Sequence, residues 1–378
     1  EYHSATGQYY LHNFFKAQPD LNWRNPEVLK EFDSIMRFWL DKGVAGFRLD
    51  VFNMIIKDIS FRDNPKSIKT DEPEIRLYRQ RPIYNTSQPE VHAILKRWRL
   101  TTDEYSSDRL LLGESNRVYD MKVLAGFYGK QDELQLVFNL AFVDAPFKAT
   151  QLRDLVEKTE AAFMQNQWPA WTGSNHDKPR MASRWAAGDE HKHRIALMML
   201  LGLHGTPVLY YGDELGMEDV YIAPWRLKDP QGRKYWPVNG GRDRARTPMP
   251  WKNQHGAGFT DENVRPWLPY GDLRVRSVDS QMHIKDSTLQ FSKDLIALRQ
   301  SEPDLYAGSY ESLPTVDSVW AWKRGKNTVV AMNFSNYHHE IKNISGKIVL
   351  GTQRKRQGET VKGLLHLEPW EGAIVKGR

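Results

Sequence analysis

The chain has no cysteine among its 378 residues. Disulfides, thiolate nucleophiles and cysteine-based metal sites are therefore excluded. Long hydrophobic runs are also missing, since no window approaches the roughly 18 consecutive apolar residues of a membrane span. Charge of one sign is scarce as well. The 53 basic and 47 acidic residues leave a net charge of +6, and no dense Lys/Arg stripe or RNP, zinc-finger or helix-turn-helix signature supports a nucleic-acid partner. The polar, aromatic opening Glu1–Tyr10 lacks the basic and apolar regions of a secretory leader. The sequence is expected to begin inside a longer protein or after processing. Its compartment stays open, with the cytoplasm favoured over secretion.

What remains is ordinary globular material, 40% hydrophobic and 26% charged. At roughly 100–200 residues per domain the length allows two or three domains, and a single barrel can use about 250. The 13 tryptophans could pack a core or stack on sugar rings. Trp168, Trp171 and Trp225 are the candidates for a sugar subsite, with core packing the alternative for the first two.

Short apolar runs alternate with helical patterns. A helix over Val28–Lys42, closed by Gly43, precedes the strand Val44–Val51. A helix over Pro89–Tyr105, with proline at its start, precedes the strand Arg109–Glu114. Further strands fall at Gln135–Leu140, Trp168–Asn175 and Pro207–Gly212, the last preceded by a helix over Arg194–Gly205. This alternation predicts βαβ units and a parallel sheet. Asp50 and Glu114 are 64 residues apart, and Glu114 and Asp177 are 63 apart. The second interval fits two units of an eightfold barrel, at about 31 residues each. The first fits one unit plus the polar excursion Lys57–Pro82. After the loop-rich stretch Gly212–Asp286 and a helix over Leu289–Gln300, the period changes. Val319–Arg324, Thr328–Phe334, Lys347–Leu350, Leu364–Leu367 and Ala373–Lys376 predict a small antiparallel β domain.

Asp50, Glu114 and Asp177 each stand at the carboxyl end of a predicted strand, the side on which β/α barrels build active sites. Carboxylates gathered there suit glycoside chemistry, one as nucleophile and another as proton donor. Arg48 lies two residues before Asp50, hence on the same face of the strand, where it would keep Asp50 ionised.

The segments GFRLDVFN, LLGES and WTGSNHDKPR resemble three of the four conserved segments of the α-amylase superfamily, glycoside hydrolase family 13. QPDLNW resembles a stretch that α-glucosidases and oligo-1,6-glucosidases carry before the fourth strand. VLYYGDELGM and GRDRARTPMPW resemble stretches after the eighth. The resemblance implies a (β/α)8 TIM-barrel type of α/β fold, with strands four to eight present here, followed by a small antiparallel β-sandwich domain. The implied boundaries are 1–25 for the end of an inserted loop domain, 26–303 for the partial barrel and 304–378 for the β domain. It implies a retaining α-glucoside hydrolase that releases glucose from the non-reducing end of short α-glucans. Asp50 would be the nucleophile, Glu114 the general acid and base, and Asp177 the ligand of the sugar's 2- and 3-hydroxyls. His176 and Arg242 would bind the same glucose. Val51, next to the nucleophile, goes among relatives with preference for α-1,6 links. Carboxylates carry the reaction, so no organic cofactor is implied.

The family's first conserved segment, and an Asp–Tyr pair after its second strand, have no counterpart before Gln18. The chain is accordingly expected to be marginal or inactive unless a second chain or copy completes the barrel, because open sheet edges aggregate. A glucosyltransferase or isomerase on the same scaffold, and a non-enzymatic relative, are the alternatives. Metal binding is not expected: the pairs His191/His193 and His338/His339 read as solvated surface, and Arg354–Arg356 as a turn face.

Overall fold

The computed structural model describes residues 1–106 and 108–377. The chain divides into two compact units. The first comprises Glu1–Ala141 with Ala161–Pro169, and the second Phe142–Glu160 with Ala170–Arg378.

In the first unit, helix α1 (Pro26–Asp41) starts where Asn25 accepts a hydrogen bond from the Glu27 amide and proline occupies the first turn. It ends where Gly43 turns left-handed, at φ 88°. Strand β1 (Gly46–Leu49) follows. Helix α2 (Val91–Asp103) leads into strand β2 (Leu110–Glu114), and strand β3 (Leu136–Phe138) completes a parallel trio. β1 and β2 run so close that a Cβ on Gly46 would lie 2.1 Å from the Leu110 carbonyl oxygen, and only glycine fits there. Gly113 is equally constrained, with its missing Cβ occupied by Phe52 and Leu134 at 2.5 and 2.6 Å. The excursion after Lys57 holds one short helix, Pro73–Tyr78.

In the second unit, strands β4 (Ala170–Thr172) and β5 (Thr206–Val208) pair in parallel. Between them helix α3 (Glu190–Gly202) is buried on all faces from His193 onward. Its sequence shows an apolar run rather than an amphipathic stripe for that reason. The helix starts earlier than expected because the Asp189 side chain caps it by accepting the Lys192 amide. The carbonyls at its other end and just beyond are taken up by buried donors: Arg299 donates to the carbonyls of Leu201, Leu203 and Gly205, and Arg324 and Trp322 donate to that of Gly202. The expected strand Pro207–Gly212 is shorter, because Tyr210 and Tyr211 leave it to stack on the buried Arg180 guanidinium. Helix α4 (Thr288–Ser301) matches its expected span within one residue at each end.

The C-terminal part is six antiparallel strands: β6 (Tyr310–Leu313), β7 (Val319–Arg324), β8 (Thr328–Asn333), β9 (His339–Gly351), β10 (Thr360–Leu367) and β11 (Gly372–Lys376). They run in the order β10-β9-β11-β8-β7-β6. One face encloses a core of its own around Ile348, Leu365 and Val375, and the other supplies Trp320, Trp322 and Val330 to the main cluster around α3. The fold is a partial (β/α) barrel followed by an antiparallel β domain. β6 escaped the sequence reading because Glu311 and Ser312 weaken its apolar pattern. The helix Ala149–Ala162 escaped it too. No helix among the described residues is long and apolar enough to cross a membrane.

Candidate active site

In the first unit the register decides the geometry. Arg48 pairs with Leu112, and Leu49 with Gly113. One step further, Asp50 falls beside Glu114, and both point to the face that Arg48 occupies. The Arg48 guanidinium then bridges them. One terminal nitrogen bonds Asp50 Oδ1, and the other bonds Glu114 Oε2 at 2.5 Å. The two carboxyls differ in setting, with the Asp50 side chain 75% exposed and that of Glu114 8%.

The backbone after Asp50 is unusual. Val51 sits in the left-handed region at φ 39°, ψ 40°, which is unfavourable for a β-branched side chain. The next turn is over-determined. Phe52 is buried, and Asn53 exchanges two hydrogen bonds with the main chain of Asn116.

In the second unit a second group forms around Asp177. Arg242 and Arg246 both donate to Asp177 Oδ1, at 3.1 and 2.6 Å. His176 Nε2 lies 3.5 Å from the same oxygen. Arg246 also donates through Nε to the His176 carbonyl. Arg242 is itself fixed by Asp229, which accepts from its Nε, its second terminal nitrogen and its amide. Burial pushes Asp229 up, but these bonds outweigh it and hold the carboxyl below the ordinary range. Reciprocally, Asp229 first and Asp177 after it hold the Arg242 guanidinium firmly charged.

The structure thus unites Arg48, Asp50 and Glu114, with Val51 at their edge, in one unit. It unites His176, Asp177 and Arg242 in the other. Asp177 does not stand at the very end of its strand, because β4 ends at Thr172. Two partners were missed. Arg246 lies four residues past Arg242, inside a motif already singled out, and Asp229 had a visible signal as the residue before Pro230, where it caps a short helix. Of the aromatic candidates, Trp171 is core, packed on Phe142 and bonded to the His204 carbonyl, whereas Trp225 is exposed. The histidine reading needs correction at His193 alone. His193 is buried on α3, whereas His338 is exposed and pairs with Glu368. No cluster of three metal-ligating side chains occurs among the described residues.

A partial barrel with carboxylates at the strand ends defines a class, and comparison agrees with it. Residues 1–308 match the family described as alpha amylase, catalytic domain, and the chain belongs to that family. Among individual proteins it is 34% identical to a probable alpha-glucosidase of Rhizobium meliloti (strain 1021), over 84% of this chain and 59% of that protein. It is 31% identical to an oligo-1,6-glucosidase of Parageobacillus thermoglucosidasius, over 100% of this chain and 73% of that one. The crystal structure of an alpha-glucosyl transfer enzyme, XgtA, superposes with a TM-score of 0.88 at 32% identity, covering 98% of this chain and 71% of XgtA. The chain therefore spans about three fifths to three quarters of the length of these relatives.

Proposed function

We propose that this chain belongs to a retaining α-glucoside hydrolase that releases glucose from the non-reducing end of short α-glucans, with α-1,6-linked substrates such as isomaltose and panose preferred. The observation that carries the reading is the Arg48 bridge between Asp50 and Glu114. A retaining mechanism uses two carboxyls about 5–5.5 Å apart, a span that a single guanidinium fork can set. Different surroundings for two neighbouring carboxyls separate nucleophile from proton donor. Here the exposed Asp50 carboxylate attacks the anomeric carbon and forms a glucosyl ester. The buried Glu114 gives a proton to the departing glycosidic oxygen, then takes one from the water that hydrolyses the ester. Asp177 is gripped through Oδ1 by two arginines, an orientation suited to accepting hydrogen bonds from sugar hydroxyls that tighten in the transition state. Val51 is the residue assigned to linkage preference.

A second reading, glucosyl transfer to another sugar, is favoured by the similarity to XgtA, since sugar in place of water can intercept the same ester. The deciding measurement is glucose release from isomaltose and maltose by the purified chain, with Asp50→Asn as control. Two glucose per disaccharide consumed, lost in the control, support hydrolysis; at most one glucose per disaccharide, with the other glucosyl unit in a new oligosaccharide, supports transfer. A folded chain that yields neither product refutes the reading for this chain. A Val51→Thr variant with an unchanged isomaltose-to-maltose rate ratio removes the linkage assignment.

A further inference from the structure

Arg180 closes the WTGSNHDKPR segment, and the mechanism above gives it no task. It is wholly buried, which is rare for arginine without a purpose. Tyr210 and Tyr211 lie against its guanidinium, at 4.7 and 4.6 Å to the ring centres. Asp213, also fully buried, supplies a negative charge that acts on it. One terminal nitrogen donates to the Tyr211 carbonyl at 2.5 Å and the other to the Ala245 carbonyl at 3.0 Å. Its own amide donates to Asp219 Oδ1.

Ala245 is the important contact. It ends the short turn Asp243–Ala245, directly between Arg242 and Arg246. Tyr210 and Tyr211 add hydroxyl bonds to the carbonyls of Ala245 and Thr247. The same guanidinium is three residues from Asp177 in sequence. One buried cation thus ties together the segment bearing Asp177, the segment after β5, and the turn whose flanking arginines both grip Asp177 Oδ1. We propose that Arg180 is a positioning residue: by fixing the Ala245 carbonyl it sets where Arg242 and Arg246 stand, and through them the orientation of the Asp177 carboxylate. This rests on the proposed function only for its catalytic consequence.

Arg299 and Arg324 show what a merely structural buried arginine does here, since both cap the end of α3. The test must separate Arg180 from that role. In Arg180→Lys the charge stays and the fork is lost. Amide hydrogen exchange of residues 242–247 is expected to quicken at least about tenfold, with α3 and the antiparallel strands unchanged. On an α-glucoside, kcat is expected to fall about 30-fold with KM moved less than about threefold, because the contact matters most in the transition state. Arg246→Ala added to Arg180→Lys is expected to cost little more than either alone, the sign that both act through one arrangement.

Exchange that stays unchanged at 242–247, or that quickens everywhere at once, overturns the proposal. So do kinetic losses that multiply in the double variant. If Arg180→Lys does not fold, Tyr211→Phe removes a single hydroxyl from the same clamp, and about threefold faster exchange confined to 242–247 is expected. A wild-type chain that releases no glucose refutes the hydrolase reading alone, and the exchange comparison still decides the role of Arg180.

Discussion

The two carboxylate groups are built by different means. Asp50 and Glu114 are placed by adjacent parallel strands, and their shared cation is two residues from one of them. Asp177 lies beyond the end of its strand, and the arginines that hold it come from 65 and 69 residues away. Sheet register is rigid and short-range, so one unit needs a single arginine to set two acids. A loop carboxylate has no ladder to orient it, so the other unit needs two arginines for one acid. Those arginines need Asp229 and a buried clamp in turn. Charge replaces hydrogen-bonded backbone as the scaffold.

The sharpest way to break this contrast is at Arg48. In Arg48→Met the two neighbouring carboxyls lose the guanidinium fork that bridges them, and with it the span and orientation it sets. We expect kcat/KM for an α-glucoside to fall at least about 10³-fold, some 4 kcal/mol of transition-state stabilisation. Arg48→Lys should recover only part of this, because an ammonium cannot span both partners. Near wild-type activity in Arg48→Lys would show that the fork is not used.

In the other unit the load is divided, and two variants should separate its parts. Arg242→Ala leaves the buried Asp229 carboxylate without its partner, which costs about 3 kcal/mol of stability and should appear as a lowered melting temperature. Arg246 is partly exposed, and its bonds run to the His176 carbonyl and to Asp177. Arg246→Ala should lower kcat/KM about 10- to 100-fold and leave the melting temperature close to wild type. Equal melting losses in the two variants would show that Asp229 does not depend on Arg242.

A weaker contrast should appear with pH. His193 donates from Nε2 to the Asp213 carbonyl, and Nδ1 is buried with no hydrogen-bond partner among the described residues. Burial, chiefly, pushes its pKa down to about 4. A base depressed on folding gives stability that is present above its unfolded pKa of about 6.5 and is lost as pH falls toward 4. Asp213, pushed up to about 6 by its burial, acts in the opposite sense over the same interval, so the wild-type profile is partly flattened. The difference between His193→Gln and wild type removes the Asp213 contribution. We expect it to shift in favour of the variant by on the order of 2 kcal/mol between pH 7 and pH 5. Melting temperatures at those two values would show it, and a constant difference would mean that folding leaves the His193 pKa at its unfolded value.

The same contrast explains what was legible in the sequence. Strands ending in acids announced themselves because a parallel strand is a short apolar run, and because Arg48, Leu49 and Asp50 alternate with period two. The antiparallel strands β7 and β8 were legible for a similar reason. The network around Asp177 was not. Arg246, 69 residues from Asp177, is recognisable as its partner only once the chain between them has folded back, and no local period records that closure. Tyr210 and Tyr211 read as a continuation of β5 because aromatic residues favour strands. Their stacking on Arg180, a tertiary contact, overrode the local preference.

Val51 is where local preference is overridden in the strand-built unit, and it gives the smallest of the expected effects. A valine in the left-handed region is strained by about 1–2 kcal/mol, whereas asparagine tolerates that region. The strain persists because Phe52 and the Asn53–Asn116 exchange fix the turn from the far side. Val51→Asn should therefore raise stability by about 1 kcal/mol in denaturant melts, with Asp50 still held by Arg48. An unchanged or lowered stability would mean that the contacts of the valine side chain outweigh the strain. A gain would give the valine a reason that folding does not supply, in keeping with the proposal that its branched apolar side chain, beside Asp50, meets the substrate.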